Sequence, residues 1–425
     1  MNIAIIGSGI SGLVAAYHLS TEHQITLFEA NDYVGGHTHT HKISLNQREY
    51  AIDTGFIVFN DWTYPNFIRL MEELGVQSQP SHMSFSVKCE KTGLEYNGTT
   101  LNALFAQRLN LVRPSFLRMV ADVLRFNREA SQWLSESNED ISLGEYLAAN
   151  RYSKAFIEHY IVPMGSAIWS ADPLSLFAFP AQYFLRFFHN HGMLSVDNRP
   201  VWRVIQGGSQ SYIAPLTRRF AQNIRLHTSI ASVQRQPHQV RIKPVGGDFE
   251  HFDAVIFACH SDQALALLAD ASAEEREILG AIPYQENEAV LHTDARILPK
   301  RKLAWAAWNY HIPRDHQNKV AITYDMNILQ SLDAPETFCV TLNHSDNIDP
   351  ARIIQRISYH HPVFTPAGII AQGRHDAISG FNRTFYCGAY WGFGFHEDGV
   401  NSALKVVRQI KEQHTHAQLP LRRTG

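Results

Sequence analysis

The hexapeptide GSGISG at residues 7–12 follows a short apolar run at 3–6 and opens a stretch, 10–19, in which Ile10, Leu13, Val14 and Tyr17 recur on one helical face. A second apolar run follows at 25–28. Strand, glycine turn, helix and strand within about thirty residues predict the βαβ unit of a doubly wound parallel sheet. Each glycine then has a task. Gly7 permits the tight turn, Gly9 lets the backbone approach a pyrophosphate, and Gly12 allows the helix to pack closely, while Ile10 and Ser11 begin a helix whose N-terminus faces the phosphates. Glu29, with Ala30 beside it, closes the second strand about twenty residues on, where a carboxylate accepts from ribose hydroxyls and its charge disfavours a 2′-phosphate. A turn that merely joins strand to helix is the competing reading, and the same fingerprint serves NAD and FAD alike.

A length of 425 residues exceeds one ordinary core, so two domains are expected. The patterns predict an α/β fold in which a Rossmann-like parallel sheet is interleaved with an α+β substrate domain. The nucleotide-binding part is expected at 1–60, 200–265 and 375–425, its final strands supplied by the segments after residue 224. The substrate part is expected at 61–199, a helical and aromatic lobe, and at 266–374, an antiparallel sheet. A formal charge of −3 and the lack of any Lys/Arg run argue against nucleic acid as a partner. Four dispersed cysteines form no CxxC pair, no stretch reaches the roughly 18 apolar residues of a spanning helix, and no signal peptide precedes the first strand. A cytoplasmic protein is expected.

Beyond Glu29 the chain reads EANDYVGGHTHT, then DTGFIVFN at 53–60, GGSQSY at 207–212, DAVIFACH at 253–260 and a C-terminal run in which Gly388, Gly392, Gly394 and Gly399 alternate with aromatics. In this order the segments resemble the flavin-containing amine oxidase and phytoene desaturase superfamily across nearly the whole chain. The resemblance implies FAD as cofactor, with contacts at Gly35, Gly36, Thr38, Gly55, Phe56 and Cys259. His37 stands where the superfamily usually has Arg. It also implies an adenine contact through the backbone of Val233, and passage of Gly388 to Gly399 beside the isoalloxazine ring ahead of a helix starting at Val400. The superfamily often has an acid after the first glycine of that loop. Ala389 stands there instead, which leaves the ribityl contact to backbone or to Asp398. The phrases VPMGSAIWSADP, AWAAWNY and GAYWGFGFHEDG are similar to a bacterial subgroup of NAD/FAD-binding proteins commonly encoded near cyclopropane fatty acid synthase, which makes a lipid acyl chain a candidate substrate.

The expected chemistry is removal of hydride from a C–C or C–N bond of a small apolar or lipid-like molecule. Amine oxidation, flavin-dependent isomerisation and noncatalytic FAD binding are the alternatives. His396, Tyr390 and Trp391 are the candidate catalytic residues. Glu397 reads equally as a helix cap, and Lys302 as a lysine near the flavin or a solvated residue of a KRK run. Trp305, Trp308, Tyr310, Phe393 and Phe395 are expected to line a substrate pocket or to join the core. His37, His39 and His41 would share one face of a strand but lack the further donors of a metal site, so no metal is expected. The helix expected over 115–134 carries Phe116, Met119, Val120 and Val123 on one face with arginines largely opposite. It reads as a lid packed on its own core or as a peripheral contact with a membrane surface. The oligomeric state is left open.

Overall fold

The apolar run Asn2–Ile6 is the middle strand of a five-stranded parallel sheet ordered Ile224–Arg225, Gln24–Phe28, Asn2–Ile6, Ala254–Phe257, Thr384–Tyr386. The structure, a computed structural model, describes residues 1–136, 140–170, 172–314 and 319–418. Strands covered on both faces need no polar alternation, which is why these read as continuous apolar runs. The helix Ile10–Leu19 is buried nearly all round because the sheet lies on one side and the closing helix, His396–Gln418, on another.

Of the segments expected after residue 224 to rejoin this sheet, Ile224–Arg225 and Ala254–Phe257 do so, and those between them leave it. Ile230–Arg235, Val240–Pro244 and Glu250–Phe252 form a separate three-stranded antiparallel sheet, not the expected extension of the parallel one. Only residues 236–239 join its first two strands, and a parallel pair needs a crossover of about a dozen residues. The expected antiparallel sheet of the other half has seven strands, ordered Ile353–Pro362, Tyr284–His292, Cys339–Leu342, Ile322–Asp325, Trp308–Ile312, Phe85–Cys89 and Leu94–Asn97. One pair, Trp308–Ile312 with Phe85–Cys89, is parallel, because the strand from early in the chain is inserted at that edge.

Two expectations about helices are corrected. Pro65–Leu74, read as part of the helical lobe, packs on the nucleotide-binding side, where Phe67, Leu70 and Met71 share a core with Ile5 and Leu13. The closing helix starts at His396, four positions before Val400. This brings Glu397 against the N-terminus of Pro65–Leu74, where its carboxylate accepts from Asn66 N at 3.0 Å and Phe67 N at 2.8 Å. An anion at a helix start is favoured by the unpaired amides and the dipole, so Glu397 joins two helices. The helix Pro114–Glu136 turns Phe116, Met119, Phe126 and Ala130 into the lobe's own core. Among the described residues, no helix is long and apolar enough to cross a membrane.

Candidate active site

A cavity of about 790 Å³ runs from the C-terminal ends of the parallel strands to the seven-stranded sheet, the side of an open α/β sheet at which ligands bind. At its nucleotide end the turn is shaped by contacts that forbid side chains. Gly7 has φ +107°, and a Cβ there would stand 2.7 Å from the carbonyl oxygen of Ala258. A Cβ on Gly12 would overlap the carbonyl oxygen of Gly7. Gly9 differs, since a Cβ there would meet nothing within 4 Å, and its backbone borders the cavity. Gly35 and Gly36 both have positive φ and bring the chain against Gly9, where a Cβ on Gly36 would lie 3.1 Å from the Gly9 Cα. Glu29 points into the same end. Its Oε2 accepts from Ser8 N at 2.9 Å and Ser8 Oγ at 2.6 Å, and its Oε1 from Asn31 N at 2.9 Å. A carboxylate has about four acceptor sites and three are taken, so about one remains for a ribose hydroxyl.

Glu29 is the sole acid among the described lining residues, and none is Lys or Arg. Positive charge can come only from His37, His260, His360, His361 and His396. The His37 ring stacks on Tyr359 at 4.9 Å and lies 5.4 Å from His361, while His260 stacks on Tyr284 at 4.4 Å. Burial pulls the imidazoles of His37 and His260 down to about 4 and that of His361 to about 3. His37 Nε2 is buried with no hydrogen-bond partner in the protein. A buried donor of this kind suits a phosphate oxygen.

Further in, Phe56 stacks on His396 at 3.5 Å. His396 Nε2 lies 3.0 Å from Tyr212 Oη and 3.1 Å from Thr38 Oγ1, and those two hydroxyls also bond each other. Burial holds this imidazole far below its usual range. Asp53, wholly buried, accepts from Thr40 Oγ1, Ser209 N and Gln330 Nε2 at 2.5, 2.9 and 3.0 Å, and burial raises it to about 6. It thereby fastens the 53–60 segment to the 207–212 turn and to the substrate half. The inner end is aromatic: Trp169, Trp308, Tyr324, Phe364, Phe393 and Phe395 line it. Four lining residues carry buried polar atoms with no protein partner, His37 Nε2, Trp169 Nε1, Trp308 Nε1 and Tyr390 Oη.

Of the residues read from the sequence, Gly7, Gly9, Ile10, Ser11, Glu29, Ala30, Gly35, Gly36, His37, Gly55, Phe56, Cys259, Gly388, Tyr390, Phe393, Phe395, His396 and Trp308 border the cavity. Gly12 and Thr38 stand directly behind it. The others lie elsewhere, each for a visible reason. Val233 is fully buried in a strand ladder and its carbonyl accepts from Ala269 N, so the wall in that region is Thr228, Ser229 and Ile230. Asp398 turns back to accept from Phe395 N at 2.9 Å, raised by burial to about 7, and so braces the glycine loop from behind. Gly399 packs on Ile10 and Ser11, its carbonyl accepting from Ser11 Oγ at 3.0 Å, and Val400 is core. Trp391 packs edge-on against His375 at 4.7 Å. Trp305 donates its Nε1 to Pro299 O at 2.7 Å, with Lys302 over its ring at 5.7 Å, and Tyr310 is buried in the lobe core. Lys302 therefore stands outside the cavity. The reading missed Tyr33 and His260, which lie within the EANDYVGGHTHT and DAVIFACH segments with nothing local to single them out, and Tyr284, Tyr324 and His361, which reach the cleft only through long-range pairing and carry no local motif.

Cavity, glycine turn and acid together fit an FAD-sized dinucleotide. A model of the flavin containing amine oxidoreductase family matches residues 10–315. The chain is 22% identical over 259 residues to a protein named as a flavin-containing monoamine oxidase, AofH, of Mycobacterium tuberculosis, covering 59% of this chain and 55% of that one. It thus spans about half the length of that curated relative. Among solved structures, cyclohexylamine oxidase from Brevibacterium oxydans superposes with TM-score 0.69 at 14% identity, over 97% of this chain and 99% of that one. A fatty acid isomerase from P. acnes superposes with TM-score 0.66 at 18% identity, over 96% and 98%. These likenesses establish the fold. With the family match spanning most of its length, the chain belongs to the flavin containing amine oxidoreductase family, and the cofactor for which its cleft is shaped is FAD.

Proposed function

We propose that the protein dehydrogenates a C–C or C–N bond of a small, uncharged, apolar or lipid-like substrate, which loses a C–H hydride and a proton, together the two hydrogens that FAD takes up on reduction. The observation that carries this reading is the inner end of the cavity, lined by aromatic and aliphatic side chains including Leu329 and Leu342 and by no carboxylate among the described residues. An ammonium group brought there would lose its hydration without gaining a counter-charge, whereas hydrocarbon is favoured. FAD, when bound, supplies the hydride acceptor. The protein's part is to exclude water and to orient. Trp308 Nε1 and Tyr390 Oη are donors held free for a polar atom, and Phe393, tilted against Tyr183 with ring centres 4.6 Å apart, closes an apolar wall. His396 Nε2 is already engaged by two hydroxyls, so we assign this residue to holding the start of the closing helix against the Phe56 segment and not to proton abstraction.

Anaerobic mixing of the FAD-loaded protein with unsaturated fatty acyl lipids, neutral hydrocarbons and amines tests the reading. Loss of the oxidised-flavin band near about 450 nm with an apolar substrate is the expected result. Bleaching by amines that are mostly protonated at the assay pH, and by no apolar substrate, would overturn it. Product formation from a lipid without bleaching would replace oxidation by isomerisation.

A further inference from the structure

The surface most in need of a partner lies outside the cavity lining. Residues 101–124 expose a series of large apolar side chains: Leu101, Leu109 and Val112 are 77%, 74% and 76% exposed, with Leu111, Leu117 and Leu124 alongside. Single exposed leucines are ordinary, but a run of six within one segment is not. Leu109, Leu111 and Val112 sit on the 3₁₀ turn Arg108–Val112, and Leu117 and Leu124, seven residues apart, lie on one face of the helix Pro114–Glu136. This face is distinct from the Phe116, Met119 and Phe126 face that the helix buries. The leucines that sequence periodicity leaves outside the core stripe are therefore the ones presented to solvent.

Charge accompanies them. Residues 96–121 contain no Asp or Glu but do contain Arg108, Arg113 and Arg118. The helix Leu101–Leu104 packs against the turn Lys302–Ala304, which brings in the exposed Lys300, Arg301, Lys302 and Leu303 from two hundred residues further along the chain. Arg118 and Arg301 pair with Asp122 and Glu95 at 3.3 and 2.9 Å, whereas among the described residues Arg108 bonds uncharged groups, Asn102 Oδ1 and Phe105 O. Exposed leucines rimmed by basic residues from two chain segments suit a surface that is apolar within and anionic outside.

We propose that this face docks on an anionic lipid bilayer, with Leu109, Leu111 and Val112 entering the acyl boundary and Arg108, Arg113 and the 300–302 run meeting lipid phosphates. The docking stands independently of which substrate the cavity takes. Sedimentation of the FAD-loaded full chain with vesicles of phosphatidylglycerol and phosphatidylcholine, against vesicles of phosphatidylcholine alone, tests it. The bound fraction is expected to be at least several-fold higher on the anionic vesicles and to fall in high salt. Both Leu109→Glu/Val112→Glu and Arg108→Glu/Lys302→Glu are expected to reduce it about tenfold or more while flavin content and melting stay unchanged, since all four side chains are exposed. Absence of native binding, or binding that either double variant retains, overturns the proposal. A concentration-dependent dimer that Leu109→Glu/Val112→Glu abolishes, without vesicle binding, would assign the face to a second copy instead.

Discussion

Gly9→Val is expected to give folded protein that retains no FAD, and Gly12→Val protein that scarcely folds. The two positions are three residues apart in one turn, yet their surroundings are opposite. Gly9 has φ −65° and ψ 175°, which any residue adopts, and a Cβ there meets nothing within 4 Å. The added side chain starts in open space at the cavity edge, where a diphosphate must come close, so affinity should fall by about 100-fold or more, roughly 3 kcal/mol. At Gly12 a Cβ overlaps the Gly7 carbonyl and lies 3.1 Å from the Ala258 Cβ. Both neighbours are fixed by bonds to the sheet, Gly7 N donating to Phe28 O at 2.9 Å and Ala258 N to Ile6 O at 2.8 Å, so overpacking of this kind costs about 3 kcal/mol or more. Flavin absorbance per protein, read beside the melting of the flavin-free protein, separates the two effects. Normal flavin content in Gly9→Val would refute the assignment of the turn.

The second large effect is acid sensitivity of the flavin-free protein. His37, His260 and His361 line the cavity with imidazoles that burial depresses to about 4, 4 and 3, and His191 and His292 are likewise held at about 4. Each stays neutral in the folded chain where the unfolded chain takes up a proton, so the unfolded state binds more protons between the ordinary value near 6.5 and the depressed one. Their contribution to stability is present above about 6.5 and is lost as pH falls toward 4. At pH 5 each such histidine costs on the order of 1 kcal/mol relative to pH 7, a total of several kcal/mol for a protein whose margin is about 5–15 kcal/mol. Asp53, Asp325 and Asp398, raised by burial to about 6, 6 and 7, act in the opposite sense over the same window, so the histidine share is read from the ring resonances of the flavin-free protein, and imidazoles that take up their proton near 6.5 would show that these rings are not buried as described. FAD should lessen the loss, because a diphosphate beside His37, His260 and His361 favours the protonated rings. A larger gain in melting temperature from FAD at pH 5.5 than at pH 7.5 is the corresponding observable.

Local motifs were legible because local geometry dictates them. The strand–turn–helix at 2–19, the acid at Glu29 and the paired Gly35 and Gly36 each reflect a φ value or a close approach that few residues permit, and all of them border one cavity. The glycine-aromatic loop was legible in kind but not in detail. That Phe393 and Phe395 face the cavity while Trp391 faces His375 is settled by packing from both sides, and no spacing of glycines encodes it. The same holds for Trp308 and Trp305 in AWAAWNY: Trp308 leads a sheet strand whose face forms the cavity wall, and Trp305 ends a turn whose backbone carbonyls capture its Nε1.

The chain by itself determined the dinucleotide turn, the order of the segments that build the nucleotide site, and an overall charge too small to gather nucleic acid. Only the tertiary structure decided the electrostatics of the cleft. His37, His260 and His361 come from three parts of the chain, and their charge state depends on the solvent they lose when those parts meet. The exposed leucines follow the same logic. The sequence shows an apolar helix face, but which leucines remain uncovered is fixed by the elements that pack beside them, and hydrophobic burial has no preferred partner until the fold supplies one.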